Sequence, residues 1–179
     1  MSEKSYKEYL NHINTFVFDV DGVLTDGSVL VTTEGEILRT MNVKDGYAIK
    51  AAILNGYTIC IITAGNNEGV RVRLRNLGVT DIYMGSFQKA DTLDEFLDVY
   101  NINAENVLYM GDDIPDIPPM KMVGLPTCPQ DAAPEVKEIA NYISDVKGGK
   151  GCVRDVIEQV MKVQGKWTKD FDNELFKEN

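Results

Sequence analysis

Histidine is nearly absent from the 179 residues: His12 alone occurs, in a polar N-terminal lead. Ser-His-Asp hydrolases, phosphatases that pass phosphate through histidine, and His-rich metal centres would all have to use it. Cysteine is scarce as well. Cys60, Cys128 and Cys152 are odd in number and widely spaced, which argues against a disulfide framework or a structural zinc site and for a reducing cytoplasm. Six positions beyond them stand Asn66, Pro134 and Glu158, so a Cys-x5-Arg phosphate loop is missing. Basic residues are outnumbered, 18 Lys and Arg against 28 Asp and Glu, for a net charge of −10. That sign disfavours nucleic acid as a partner. Apolar runs are short, near Cys60 and Val107, so no membrane span is expected. Residues 1–6 lack the apolar centre of a signal peptide. Carboxylates and lysine remain as the chemical tools.

What is present is an ordinary globular composition, 44% hydrophobic and 26% charged. The length fits one domain, expected over residues 1–164, followed by a polar tail at 165–179. Buried strands are expected at 15–18, 57–62, 81–84, 106–110 and 141–144, with a strand edge at 120–126. Val29-Leu30-Val31 and Ile37-Leu38-Arg39 flank a turn containing Gly35 and read as a β-hairpin. Helical patterns cover 47–54, 68–77, 90–100, 135–140 and 152–163. The alternation predicts an α/β fold: a three-layer, Rossmann-like parallel sheet flanked by helices, with a protruding β-hairpin. Ligands of such sheets bind beyond the carboxyl ends of the strands. Asp19, Asp21, Thr63, Lys89, Asp112 and Asp113 all fall there.

Asp19-Val20-Asp21-Gly22-Val23-Leu24-Thr25 resembles the first signature of the haloacid dehalogenase superfamily of phosphohydrolases. Thr63 matches the second, Lys89 the third, and Gly111-Asp112-Asp113 with Asp116 the fourth, in family order. The chemistry agrees. An Asp19 carboxylate can attack phosphorus to form an aspartyl phosphate. Asp21, two residues on, can protonate the leaving oxygen and then deprotonate water. Asp19, the Asp21 carbonyl, Asp112 and Asp113 make an all-oxygen set suited to Mg²⁺. Lys89 adds positive charge at the transferring phosphoryl group and Thr63 donates a hydrogen bond to it.

Members of this superfamily usually carry a cap domain inserted between the first and second signatures or between the second and third. Here the hairpin and one helix use up the first interval, and the second is too short. The chain therefore resembles the capless branch. Asp26-Gly27, Asn42-Val43-Lys44-Asp45-Gly46-Tyr47 and Gly148-Gly149-Lys150-Gly151-Cys152-Val153-Arg154 narrow the resemblance to the 3-deoxy-D-manno-octulosonate 8-phosphate phosphatases. The related 9-phosphate phosphatases of nonulosonate synthesis are also similar. The resemblance implies a cytoplasmic homotetramer whose subunits cover each other's sites. The apolar hairpin edge, Val29, Leu30 and Val31, fits burial against a partner, with packing on its own domain as the alternative. The resemblance also implies substrate contacts from Asn42, Val43, Lys44, Asp45, Gly46, Lys50 and Arg73. The Gly148–Arg154 segment is either a flexible turn or a strap laying Lys150 or Arg154 over an adjacent site.

One departure stands out. The family commonly has Thr-Gly-Arg after the second strand, whereas this chain has Thr63-Ala64-Gly65 and lacks that cation. Arg71 and Arg75 are the nearest replacements, although helical geometry points them elsewhere. Two other readings compete with a sugar-acid phosphatase. A phospho-accepting signalling module would carry its acidic pair first, whereas here Asp-x-Asp comes first. A catalytically silent oligomerisation domain would not need the complete acidic set.

Overall fold

The computed structural model describes residues 6–167. Its elements in chain order are α1 (Tyr6–Leu10), β1 (Thr15–Phe18), β2 (Leu30–Val31), β3 (Ile37–Leu38), α2 (Val43–Leu54), β4 (Thr58–Thr63), α3 (Glu68–Asn76) and β5 (Asp81–Met84). Then follow α4 (Lys89–Tyr100), β6 (Val107–Met110), α5 (Ile117–Met120), β7 (Leu125–Cys128), α6 (Pro134–Ile139), β8 (Tyr142–Ile143) and α7 (Cys152–Val163). Among the described residues six strands form one parallel sheet in the order β5-β4-β1-β6-β7-β8. β2 and β3 pair antiparallel as a separate hairpin.

The central strands are apolar on both faces, and their two-residue period divides them between two cores. Phe16, Phe18, Ile59, Ile61, Leu108 and Met110 face one core with α2, α3 and α7. Val17, Cys60, Ile62, Val107 and Tyr109 face the other with α4 and α6. Phe16 and Phe18 are fully buried, each burial stabilising by roughly 1.5–3 kcal/mol.

This topology places the site. From β1 the chain builds outward to β4 and β5, then returns to the other side of β1 for β6, β7 and β8. The carboxyl ends of β1 and β6 therefore flank the point where the winding reverses, which leaves a crevice. Among the described residues nothing resembling a cap domain covers it. Only the hairpin and α2 separate β1 from β4, and only α3 and β5 separate β4 from α4.

Three boundaries differ from the sequence expectation. Helix α2 begins at Val43, because the Asn42 side chain accepts the Lys44 N–H at 2.8 Å and caps it. Gly46 thus lies inside the helix, where a Cβ would meet Arg73 Nη2 at 2.7 Å. The expected edge at 120–126 is shifted to Leu125–Cys128, and Met120 instead ends α5. Pro118 and Pro119 occupy the first turn of α5, where a missing N–H does no harm, so they start a helix rather than break one. The folded domain also continues past residue 164. Lys166 N–H donates to Met161 O at 2.7 Å, and the Arg154 guanidinium stacks 5.4 Å from the Trp167 ring centroid. The rest of the expected tail, 168–179, lies outside the described residues.

The hairpin touches its own domain through Asn67 Nδ2, which donates to Ile37 O at 2.9 Å, but its apolar side chains are left largely uncovered. Leu30 and Val31 are 66% and 60% exposed, and Val29, Ile37 and Leu38 are exposed beside them. No helix among the described residues is long and apolar enough to cross a membrane.

Candidate active site

Asp19 follows β1 directly, and its N–H donates to Met110 O at 3.1 Å, tying the ends of β1 and β6 together. Gly22 turns the chain with φ +91°, and a Cβ there would lie 1.9 Å from Asp112 Oδ2. Only glycine satisfies both demands. Lys89, the first residue of α4, is buried and donates to Asp19 Oδ2 at 3.0 Å and Asp116 Oδ1 at 2.7 Å. Thr63 ends β4, is buried, and accepts the Gly65 N–H at 3.2 Å. These elements surround a cleft of about 290 Å³. Asp19, Asp21, Thr63, Lys89, Asp112 and Asp113, all named from the sequence, line it together.

Negative charge is crowded here. Burial, then the neighbouring Asp116 charge, push the Asp19 carboxyl up to about 6 against the opposing pull of Lys89. Burial and the charges of Asp19, Asp116 and Asp113 push Asp112 up to about 8. Burial pulls the Lys89 ammonium down, but Asp19 and Asp116 outweigh it and the net shift is upward. A lysine held charged between two carboxylates suits electrostatic stabilisation rather than base chemistry.

The donor set fits a hard divalent cation. Carboxylate oxygens of Asp19, Asp112 and Asp116 lie within 4.8 Å of one another. Asp19 Oδ1 and Asp112 Oδ1 are buried without a hydrogen-bond partner, a costly state unless a cation completes them. Asp116 differs from both. It accepts from Lys89 Nζ at 2.7 Å, Tyr109 OH at 2.9 Å and Asp112 N–H at 3.1 Å, so its oxygens are already engaged. Asp116 therefore holds Lys89 and braces the loop after β6. Asp113 is exposed and its Oδ1 accepts the Ile114 N–H at 2.8 Å, capping the next turn. The Asp21 carboxylate lies outside the cluster. Asp19 and Asp112 thus offer the unengaged oxygens that could hold a cation, with Asp116 beside them.

Asp21 brings in a residue the sequence reading missed. Arg39, just past β3, donates from Nε to Asp21 Oδ1 at 2.6 Å and from Nη2 to Oδ2 at 3.0 Å. A Cβ on Gly65 would sit 3.1 Å from Asp21 Oδ2 and 3.4 Å from Arg39 Nη2. The cation missing from the loop after β4 is therefore replaced from the hairpin, beside Gly65. Arg71 pairs with Glu68, and Arg75 is exposed on α3. The available signal was a charged residue ending the otherwise apolar Ile37-Leu38-Arg39.

The residues assigned to substrate contact do not reach this cleft in their own chain. Val43, Lys44 and Lys50 are exposed on α2, Arg73 lies over Gly46, and Asn42 caps the helix. Asp45 corrects the expectation outright. It is 1% exposed and its Oδ1 accepts the Arg154 N–H at 2.7 Å, capping α7 from another helix. Burial pushes its carboxyl up to about 6. The Gly148–Arg154 segment is also engaged at home: Lys150 pairs with Asp26 at 3.2 Å, and Arg154 with Glu158 at 3.1 Å.

Known proteins share this fold. The family model of haloacid dehalogenase-like hydrolases matches residues 66–155, which hold Lys89, Asp112 and Asp116. The 3-deoxy-D-manno-octulosonate 8-phosphate phosphatase KdsC of Escherichia coli (strain K12) is 38% identical over 155 residues, covering 87% of this chain and 82% of that one. The crystal structure of the same phosphatase from Yersinia pestis superposes with a TM-score of 0.89 at 34% identity, over 91% of this chain and 88% of that one. That from Moraxella catarrhalis, solved with magnesium ion, phosphate ion and a KDO molecule, gives 0.86 at 30% identity, over 89% and 91%. Sheet order, strand-end carboxylates, the buried lysine and these likenesses agree: the chain belongs to the haloacid dehalogenase-like hydrolases, in the branch of the 3-deoxy-D-manno-octulosonate 8-phosphate phosphatases.

Proposed function

We propose that the chain is a Mg²⁺-dependent phosphatase of a 2-keto-3-deoxy sugar-acid phosphate, with 3-deoxy-D-manno-octulosonate 8-phosphate as its substrate. The observation that carries this reading is the pair of buried, unpartnered oxygens on Asp19 and Asp112 beside a charged Lys89. Asp19 and Asp112 would hold Mg²⁺, which offsets their charge and that of the phosphate dianion. Asp19 attacks phosphorus, the P–O bond to the sugar breaks, and the leaving alkoxide takes a proton from Asp21. Water then attacks the phospho-Asp19 phosphorus while Asp21 takes its proton, releasing inorganic phosphate and restoring the Asp19 carboxylate and the Asp21 acid. Lys89 and Thr63 hold the phosphoryl oxygens. Arg39 and the exposed face of the cleft receive the sugar acid.

The uncovered hairpin supports a homotetramer in which apolar hairpin residues meet. In that assembly Lys44, Lys50 and Arg73, which are remote from their own cleft, serve a neighbour's. Three buried free thiols fit a reducing compartment such as the cytoplasm. Gly65 favours a second reading, the 9-phosphate of a nonulosonate, because the loop after β4 carries no cation and the Arg39 that stands beside it is bound to Asp21.

A phosphate-release screen with Mg²⁺ compares eight- and nine-carbon 2-keto-3-deoxy sugar-acid phosphates with hexose phosphates. The expected result is a preference for the eight-carbon acid, abolished by Asp19→Asn. A preference for hexose phosphates overturns the substrate assignment. Normal turnover by Asp19→Asn overturns the nucleophile. A stable phosphoprotein, or silence towards every substrate, supports the signalling or oligomerisation reading instead.

A further inference from the structure

The glycine-rich segment before α7 makes contacts that the proposed chemistry does not explain. Gly148 is buried, and a Cβ there would lie 1.9 Å from Gly22 O and 2.7 Å from Gly22 C. At Gly22 itself a Cβ would lie 1.9 Å from Asp112 Oδ2. Gly22 is therefore in close contact with both Gly148 and the Asp112 carboxylate, with no room for one more carbon at either glycine. Gly149 adds a second hold. Its N–H donates to Val23 O at 2.9 Å, and a Cβ would lie 2.4 Å from Asp26 N. The Cys152 thiol reaches the same Val23 O at 3.2 Å.

The segment is itself anchored from behind. Gly148 N–H donates to Asp131 Oδ1 at 2.9 Å, and Asp45 caps the start of α7 through Arg154 N–H. Helix α7 buries Cys152, Val153, Val156, Ile157, Val160 and Met161 in the core. A rigid support thus stands behind the turn that follows the nucleophile, far from that turn in sequence.

We propose that Gly148 and Gly149 are positioning residues of the active site. They press the turn at 22–26 against Asp112 and so set the spacing of Asp112 from Asp19. The inference rests on the Mg²⁺ phosphatase reading for its functional consequence, and on geometry alone for the contact.

Gly148 does not need a left-handed backbone, so Gly148→Ala adds a methyl without backbone strain. Relieving a 1.9 Å approach requires a shift on the order of 1 Å, enough to reduce turnover roughly 10- to 100-fold. The test uses the full chain and three variants. Gly148→Ala adds the clash. Asp131→Ala loosens the anchor without bulk and serves if the first fails to fold. Gly56→Ala controls for glycine loss, since its φ is +82° and no atom lies within 4 Å of its Cβ position. Mg²⁺ affinity is measured by calorimetry, thermal stability without metal, and amide hydrogen exchange over residues 20–27.

The expected result is a Mg²⁺ Kd raised at least tenfold in Gly148→Ala and two- to fivefold in Asp131→Ala, with faster exchange at 20–27. Gly56→Ala loses stability but keeps its Mg²⁺ affinity. Folded Gly148→Ala and Asp131→Ala with wild-type Mg²⁺ affinity and wild-type exchange overturn the proposal. If the wild type binds no Mg²⁺, the phosphatase reading fails, and hydrogen exchange alone decides the contact.

Discussion

The cleft has an inner and an outer half, and they are built differently. The inner half is Asp19, Asp112, Asp116 and Lys89. Every side chain comes from a strand end or a helix start, and Lys89 and Asp116 are 5% and 1% exposed. The outer half is Asp21, which Arg39 holds from beside the cleft. The Asp21 side chain is 37% exposed, and Arg39 arrives from a hairpin whose apolar face is uncovered. The inner half is fixed by one chain's core. The outer half depends on where the hairpin lies, and that depends on whatever covers Leu30 and Val31. The contrast is between acidic groups and a lysine fixed by the core and an aspartate held by an arginine that arrives from the hairpin.

The largest effect that would sharpen this contrast is on the inner half. Lys89→Met leaves Asp19 and Asp116 buried without their cation. Turnover of p-nitrophenyl phosphate should fall roughly 10²- to 10³-fold, read by steady-state phosphate release. A fall of less than tenfold would place the charge stabilisation elsewhere. Next comes the outer half. Arg39→Ala should raise KM for the sugar-acid phosphate about tenfold or more while leaving KM for p-nitrophenyl phosphate nearly unchanged. Equal losses on both substrates would make Arg39 only a support for Asp21.

A smaller effect on the chemistry is expected from Leu30→Asp. Placing a charge in the exposed apolar hairpin should dissociate the proposed tetramer, seen by light scattering, with the circular dichroism of the fold preserved. An unchanged mass would remove the hairpin from the interface.

The smallest effect concerns stability. Asp45 is pushed up to about 6 in the folded chain, against an ordinary carboxylate value near 3.9. The folded state therefore binds more protons between these values, so stability falls as pH rises from about 4 to about 6 and stays lower above. Asp45→Asn keeps an oxygen for the Arg154 N–H and removes the buried charge. Thermal melts of the metal-free protein should show a shallower decline across that window and a higher midpoint at pH 8. A parallel profile would mean that Asp45 is not what titrates.

Much of this was legible in the sequence. Short apolar strands that alternate with helical stretches lead to a parallel sheet between two helical layers. Asp19, Asp21, Thr63, Lys89, Asp112 and Asp113 could be named because the residues just beyond parallel strands converge on one edge of the sheet. The helix expected at 152–163 is where α7 runs. Less legible were contacts between distant segments. Asp45 reads from the sequence as a substrate contact because nothing local shows that α7 begins against it. Arg39 looked like the end of a hairpin strand because its partner, Asp21, lies beyond a turn.

By itself, then, the sequence points to the candidate residues and the end of the sheet they occupy, because side-chain type and a place just after an apolar strand are local properties. Only the tertiary structure decided how those residues divide the work. Asp116 is engaged with Lys89 rather than left open to a cation, Arg39 takes the space beside Gly65, and Gly148 backs the turn at Gly22. Each outcome follows from two chain segments competing for one small volume, and such exclusion exists only once the chain has folded.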